Sequence, residues 1–175
     1  MLINNLNIND SMNYYNDIIY PILYILPAFI ANATPVIFGG NTPLDFKKKL
    51  FKKRIFGDHK TVRGTFSGIF AGILVGIIES FYLPQMLMIS VVLSLGAMFG
   101  DLLGSFIKRR INVTPGSSIP VLDQFGFVIF ALIFAAPFGY IPNIIGIILI
   151  FVLTAILHPL TNIIAYKIKL KKVPW

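Results

Sequence analysis

Five apolar runs, near Ile18 to Phe38, Thr65 to Leu83, Pro84 to Ile107, Val121 to Tyr140 and Asn143 to Tyr166, take up most of the chain. Each approaches the roughly 20 residues that a helix, rising about 1.5 Å per residue, needs to cross the hydrocarbon of a bilayer. Only 13% of the residues are charged and 56% are hydrophobic, whereas a soluble domain carries about a quarter charged residues. The expected fold is therefore all-α, an integral membrane protein with five transmembrane helices. The gaps leave no room for a separate soluble domain, so residues 1–175 form a single transmembrane domain with loops at about 41–64 and 108–120. Pro84 suits a first helical position after Leu83, and Pro142 breaks the run between the last two segments. The N-terminal stretch "MLINNLNINDSMNYYND" has no cation ahead of the first apolar run and does not read as a cleavable signal peptide.

The cations orient this bundle. Eight of the 15 Lys and Arg lie between Lys47 and Arg63, three are Lys108, Arg109 and Arg110, and four are Lys167, Lys169, Lys171 and Lys172. If the spans alternate, all fall on one side, and the positive-inside rule puts the N-terminus outside and the C-terminus in the cytoplasm. The net charge of +8 then reflects topology and contact with anionic headgroups, with no call for nucleic acid. Within Lys47 to Arg54 the order of the charges looks unimportant. There is no cysteine, which excludes disulfides, thiolate metal sites and thiol nucleophiles.

The segment "GDHKTVRG", Gly57 to Gly64, differs in kind, combining flanking glycines with Lys60 and Arg63 and with Asp58, His59 and Thr61. Such a loop can turn backbone N–H groups and cations toward phosphate oxygens. It is not a P-loop, whose glycine spacing and Lys-Ser/Thr step it lacks. An isolated loop histidine such as His59 is more often an ordinary polar group than a metal ligand.

Glycines recur every four residues at Gly64, Gly68, Gly72 and Gly76, and again at Gly96, Gly100 and Gly104. Small residues at that spacing let membrane helices approach closely, so the two stripes are expected to pack against each other, antiparallel. Lys60 and Arg63 would then lie beside "GDLLGSFIKRR", Gly100 to Arg110. In that stretch Asp101, Ser105 and Lys108 share one helical face, with Asp101 about 10 Å from Lys108 along the axis. A carboxylate near the interface needs a cation or a metal as partner. A second acid, Asp123, opens the fourth span after "INVTPGSSIPVL". Two oxygen ligands ringed by Lys and Arg suit Mg²⁺ with a phosphorylated substrate. On the residues alone the alternative stays open, in which Asp101 pairs with Lys108 and Asp123 caps a helix.

"NATP", "GDHKTVRG", "GDLLGSFIKRR" and "LDQ", in this order on five spans, resemble the CDP-archaeol synthase family of archaeal lipid cytidylyltransferases, from Asn32 to the terminal "KKVPW". A more distant likeness is to phosphatidate cytidylyltransferases, whose signature runs Ser-x-x-Lys-Arg and later Asp-Arg-x-x-Asp. Ser105, Lys108 and Arg109 match the first part and Asp123 opens the second, but Gln124 and Phe127 replace its Arg and final Asp. The intervening Lys-Asp and His-Gly-Gly elements are missing, so no two-metal site is carried over.

The resemblance implies transfer of CMP from CTP to 2,3-bis-O-(geranylgeranyl)-sn-glycerol 1-phosphate, forming the CDP-lipid and pyrophosphate at the cytoplasmic face of the cell membrane. It implies Mg²⁺ on Asp101 and Asp123, with Lys60 and Arg63 on the triphosphate and Lys108 and Arg109 on the lipid phosphate or the α-phosphate. Asn32 and Thr34 are candidates for cytosine or ribose contacts, with helix back-bonding as the competing role. Asp58, His59, Thr61, Ser105 and Arg110 complete the candidate substrate contacts. The competing class is a small ion or proton transporter with Asp101 as coupling carboxylate and Lys108 as its counter-ion, although transport acids belong nearer the midplane.

Overall fold

The computed structural model describes residues 13–114 and 116–174; most of the N-terminal stretch read above against a signal peptide lies outside them. The first span enters as a π-helical turn, Tyr15–Ile19, and continues as α1, Tyr20–Phe38. A two-stranded hairpin follows, β1 (Lys49–Leu50) and β2 (Lys53–Arg54), antiparallel with Lys49 opposite Arg54. Its turn residues Phe51 and Lys52 have φ 50° and 65°, the sign that primed hairpin turns require. Then come α2 (Val62–Ser80), α3 (Met86–Arg110), α4 (Pro120–Ala135) and α5 (Ile144–Lys167). All five spans are long and apolar enough to cross a membrane.

The helix ends follow local chemistry. Thr61 Oγ1 accepts the Gly64 N–H at 3.1 Å and caps α2, Pro120 occupies the first turn of α4, and Asn143 Oδ1 caps α5 from the Gly146 N–H at 2.8 Å. The second span begins at Val62 rather than Thr65 because this cap starts it earlier. The third begins at Met86, leaving Pro84 in the turn, and ends at Arg110. Lys108, Arg109 and Arg110 thus form the last helical turn, where cations face the negative end of the helix dipole.

The two glycine stripes do not pack against each other as expected. A Cβ on Gly68 would lie 2.5 Å from the Ala31 carbonyl oxygen and 2.9 Å from Met98 Sδ, and Gly72 faces Pro27 and Ser94. The α2 stripe therefore fits between α1 and the serine face of α3. The α3 stripe serves α4 instead: a Cβ on Gly96 would lie 2.5 Å from the Phe130 carbonyl oxygen, and one on Gly100 2.5 Å from that of Gly126. Opposite Gly72 and Gly76 the small partners are Ser94 and Ser90, and opposite Gly96 and Gly100 they are the α4 backbone at Ala131 and Gly126, so neither stripe needs the other. The core is built by Tyr24, Ile25, Ala28 and Ala31 of α1, Ile89, Leu93 and Ala97 of α3, Phe127, Val128 and Ala131 of α4, and Ile150 of α5. Outside it, large apolar side chains such as Phe66, Phe70, Ile78 and Ile144 stand more than 60% exposed. An apolar exterior of that extent is a surface for lipid.

α2 and α3 run antiparallel, so the hairpin, the end of α3, the start of α4 and the C-terminal tail gather at one end, called here the basic end. At the other end the chain closes with hydrogen bonds rather than the ion pairs of the basic end, the Tyr20 hydroxyl donating to the Tyr140 carbonyl and the Asn143 amide to the Asp17 carboxylate.

Candidate functional site

Two sets of charges occupy the basic end. The first is centred on Asp45, whose side chain is fully enclosed. It accepts the N–H groups of Lys47 (3.0 Å), Phe56 (3.1 Å) and Gly57 (3.1 Å), together with Arg54 Nε (3.1 Å) and Nη2 (2.7 Å). Burial opposes its ionisation, but the Arg54 guanidinium and these N–H groups outweigh burial and hold the carboxyl well below the usual range. Arg54 also donates to Asp58 at 2.7 Å. From the end of α3, Arg110 donates to the Leu50, Lys53 and Arg54 carbonyls, stacks over Phe106 at 4.9 Å and has its own carbonyl bound by Lys53 Nζ at 2.8 Å. The order of charges in Lys47 to Arg54 therefore matters at Lys53 and Arg54, a correction to the sequence reading. Its cause is a buried acid that sequence reading did not single out.

The second set is more open. Gly57, at φ 96°, turns the loop, and Lys60 Nζ reaches both oxygens of Asp101 at 2.7 and 2.6 Å. Lys108 Nζ meets Asp123 Oδ1 at 2.7 Å, while Asp123 Oδ2 accepts Ser118 Oγ and the Ile119 N–H, each at 3.0 Å. The four side chains are 14% to 26% exposed. In the alternative left open above, Asp101 pairs with Lys108; the structure instead gives it Lys60 and turns Lys108 to Asp123, because the loop before α2 reaches across α3 while α3 and α4 lie in close contact. Gly100 faces Gly126 and Gly104 faces Leu122, a register that puts Asp123 opposite Leu103, two residues and about 3 Å along the axis from Asp101. Asp123 is not the N-cap of α4, which is Ile119 and has no side-chain cap, but from the first turn its Oδ2 reaches back to the Ile119 N–H.

The other candidates divide sharply. Thr61 is committed to architecture, its Oγ1 accepting both the Gly64 and the Gly40 N–H, and Thr34 donates back to the Ile30 carbonyl at 2.7 Å. Arg110 is spent on the hairpin, and Asp58 is an exposed partner of Arg54. Asn32, His59, Arg63 and Ser105 make no side-chain hydrogen bond with the described residues, and Arg109 Nε is buried with no partner. Arg63 lies along Gly40 and lines a cavity of about 440 Å³ with Gly39, Asn41, Thr42, Phe46 and Val62; no residue of the two ion pairs lines it.

Three residues that sequence reading did not single out join the second set. Asn162 Oδ1 accepts Lys171 Nζ at 2.9 Å and its Nδ2 lies 3.5 Å from His158 Nδ1. His158 and Lys171 are both within electrostatic reach of Lys60, Asp101 and Asp123. A signal existed: Gly146, Ile150, Thr154, His158 and Asn162 recur every four residues, and the inward stripe of α5 carries its polar members toward the basic end.

Among the described residues no three His, Cys, Asp or Glu side chains converge, so no cation cage is built by protein alone. Two carboxylates on facing helices are nonetheless the donor set Mg²⁺ uses when water and substrate phosphate complete its shell. Asp101 and Asp123 fit that role, provided a phosphate displaces the lysines that now face them.

A bundle with apolar flanks and paired charges gathered at one end defines a multi-pass membrane protein suited to polar chemistry at the bilayer surface. The CarS-like family, described as CDP-archaeol synthase, matches residues 14–175, and the chain belongs to that family. It is 48% identical over 168 residues to the CDP-archaeol synthase of Pyrococcus furiosus, covering 89% of this chain and 99% of that one. To the CDP-archaeol synthase of a Methanococcus maripaludis strain it is 50% identical over 169 residues, covering 88% and 94%. A solved structure, described as structural insight into an intramembrane enzyme for archaeal membrane lipids biosynthesis, matches with TM-score 0.75 and 36% identity over 81% of this chain and 92% of that one.

Proposed function

We propose that this chain transfers CMP from CTP to the phosphate of 2,3-bis-O-(geranylgeranyl)-sn-glycerol 1-phosphate, at the cytoplasmic face of the cell membrane. The observation that carries the reading, beside family membership, is the pair of lysine–carboxylate contacts within one turn of each other on the facing helices α3 and α4. An oxygen of the lipid phosphate attacks the α-phosphorus of CTP, the bond from that phosphorus to its β-bridging oxygen breaks, and pyrophosphate leaves with the electron pair. The attacking monoester, with a second pKa of about 6, is largely ionised near neutral pH and needs no strong base. Catalysis then rests on alignment and charge neutralisation.

Asp101 and Asp123 would hold Mg²⁺, which supplies positive charge to the phosphate oxygens. Lys60, exchanging Asp101 for phosphate, binds the triphosphate and steadies the leaving pyrophosphate, and Arg63 approaches from its neighbouring cavity. Lys108 and Arg109 hold the lipid phosphate or the α-phosphate; unlike Arg110, whose Nη1 and Nη2 are bound to the hairpin, the Arg109 side chain makes no hydrogen bond among the described residues, which supports that role. Asn32 keeps its amide free for cytosine or ribose, whereas Thr34 has spent its hydroxyl on the helix. The isoprenoid chains stay in the bilayer against the apolar exterior.

The transporter reading gains nothing from the structure, which places Asp101 against a loop lysine at the basic end. The deciding experiment is incorporation of labelled CTP into lipid by the purified protein with Mg²⁺, offering ether and ester lipid phosphates side by side. No incorporation into either lipid refutes the reading. The orientation is tested separately: cysteines at Tyr82, in the α2–α3 turn, and at Lys48 should label from opposite sides of sealed vesicles, Tyr82 from outside.

A further inference from the structure

α5 contributes little to the apolar core beyond Ile150, yet its inward stripe ends on His158, whose ring lies 5.9 Å from that of Phe127 on α4 and within electrostatic reach of Asp101, Asp123 and Lys60, and on Asn162 beside it. Past its last turn the chain reverses. Lys169 adopts φ 63°, and the N–H groups of Leu170 and Lys171 both return to the Ala165 carbonyl, at 2.8 and 3.2 Å. Such a left-handed cap directs the following residues back along the helix. Lys171 is thereby set against Asn162, nine positions earlier, and within electrostatic reach of Lys60, Asp123, Lys108 and Asp101.

The consequence is a convergence. Ammonium groups from three segments, the loop before α2, the end of α3 and the tail, surround two carboxylates. Burial first, and then the like charges of Lys60 and Lys108, lower the pKa of Lys171, while Asp123 and Asp101 act the other way. A polyphosphate relieves that crowding, presenting several anionic oxygens to cations that otherwise repel.

We propose that the C-terminal tail is a wall of the nucleotide site and that Lys171, held by Asn162 and through it by His158, binds the polyphosphate of CTP. The inference rests on the cytidylyl-transfer reading and adds a residue and a segment to it. Of the two phosphate sources, the triphosphate fits better. It carries the greater charge and arrives from the aqueous side, where the tail lies, while the lipid phosphate arrives beside its chains in the bilayer.

The test is equilibrium binding of CTP to the full-length protein in detergent, without acceptor lipid, for wild type, Lys171→Ala, Lys171→Arg and Asn162→Ala. A lost charge-assisted hydrogen bond corresponds to a Kd raised about ten- to a hundredfold in Lys171→Ala. Lys171→Arg should retain most of the affinity, and Asn162→Ala, which removes one contact of the ammonium but keeps its charge, should lose less than Lys171→Ala. The ligand-free melting temperature and the KM for lipid phosphate should stay at wild-type values. An unchanged Kd for CTP in Lys171→Ala overturns the proposal, as does a change confined to the KM for lipid phosphate. A lowered ligand-free melting temperature with wild-type CTP affinity makes the tail structural and overturns it too. Wild-type protein that binds no CTP removes the cytidylyl-transfer reading itself, whereas wild-type binding with equal binding by Lys171→Ala removes the tail alone.

Discussion

Asp45 and Asp101 are both acids at the basic end, and both face a cation at hydrogen-bond distance, but their surroundings have little else in common. Asp45 is enclosed and takes three backbone N–H groups in addition to Arg54. Asp101 is 26% exposed and meets one lysine ammonium. A carboxylate saturated by backbone donors cannot exchange partners without unfolding its loop. One held by a single flexible side chain can exchange that partner for another cation, and its lysine can move to an incoming phosphate. The comparison separates architecture from candidate chemistry among residues that look alike in the sequence.

The comparison breaks first if the open acids are dispensable. Asp101→Asn and Asp123→Asn keep side-chain volume and remove charge, and each is expected to lower the transfer rate by about a hundredfold to a thousandfold with little change in melting temperature. Residual activity should need much higher Mg²⁺. An Mg²⁺ titration of rate, with melting measured on the same preparations, decides it; near-normal rates with unchanged Mg²⁺ dependence would remove the metal role from both residues.

Asp45→Asn should show the opposite pattern. Breaking an enclosed ion pair by removing one partner costs about 3 kcal/mol, so the melting temperature should drop clearly while turnover per folded molecule stays close to wild type. The pH dependence has a definite sign. The folded-state pKa of Asp45 lies below its ordinary 3.8, so this stabilisation is complete above about pH 4 and is lost as the pH falls below 3.8 toward the folded value. Thermal melts between pH 3 and pH 7 should show that acid-side loss in wild type and a smaller one in Asp45→Asn.

The spans were legible in the sequence because length and hydropathy suffice for a helix in hydrocarbon. Their ends moved by a few residues where a cap or a final cationic turn decided, as at Thr61 and Arg110. Which acid meets which lysine was not legible, because that depends on how α3 lies on α4 and where a loop crosses, and no periodicity encodes either. Lys60 with Asp101 and Lys108 with Asp123 emerge only once Gly100 is set against Gly126. Lys171 was hidden for a related reason: a tail beyond the last span reads as topology until a positive φ at Lys169 turns it back.

A smaller effect is expected at Lys60. Lys60→Ala should weaken CTP binding or slow turnover by about tenfold or more, whereas Lys48→Ala, an exposed side chain with no hydrogen bond among the described residues, should stay within error. Equal, small effects at both would take the loop Gly57 to Gly64 out of the site.

The finest form of the comparison lies within one dipeptide. Arg109 and Arg110 are neighbours in the last turn of α3, and both looked like phosphate ligands in the sequence. Both Nε atoms are buried without a partner, but Arg110 donates through Nη1 and Nη2 to three hairpin carbonyls and stacks on the Phe106 ring, whereas the Arg109 side chain makes no hydrogen bond among the described residues. Lysine retains the charge but cannot reproduce the planar fork of donors or its stacking. Arg110→Lys should therefore cost stability, by about 1 kcal/mol for the hydrogen bonds not remade, with KM values for CTP and lipid phosphate unchanged. Arg109→Lys should leave the melting temperature alone and raise a substrate KM, because the geometry it loses is needed only when phosphate is present. Measuring melting temperature and both KM values on the two variants checks the assignment. A KM effect at Arg110 equal to that at Arg109 would mean that the hairpin clamp opens during turnover and that the closed set is not separate from the site.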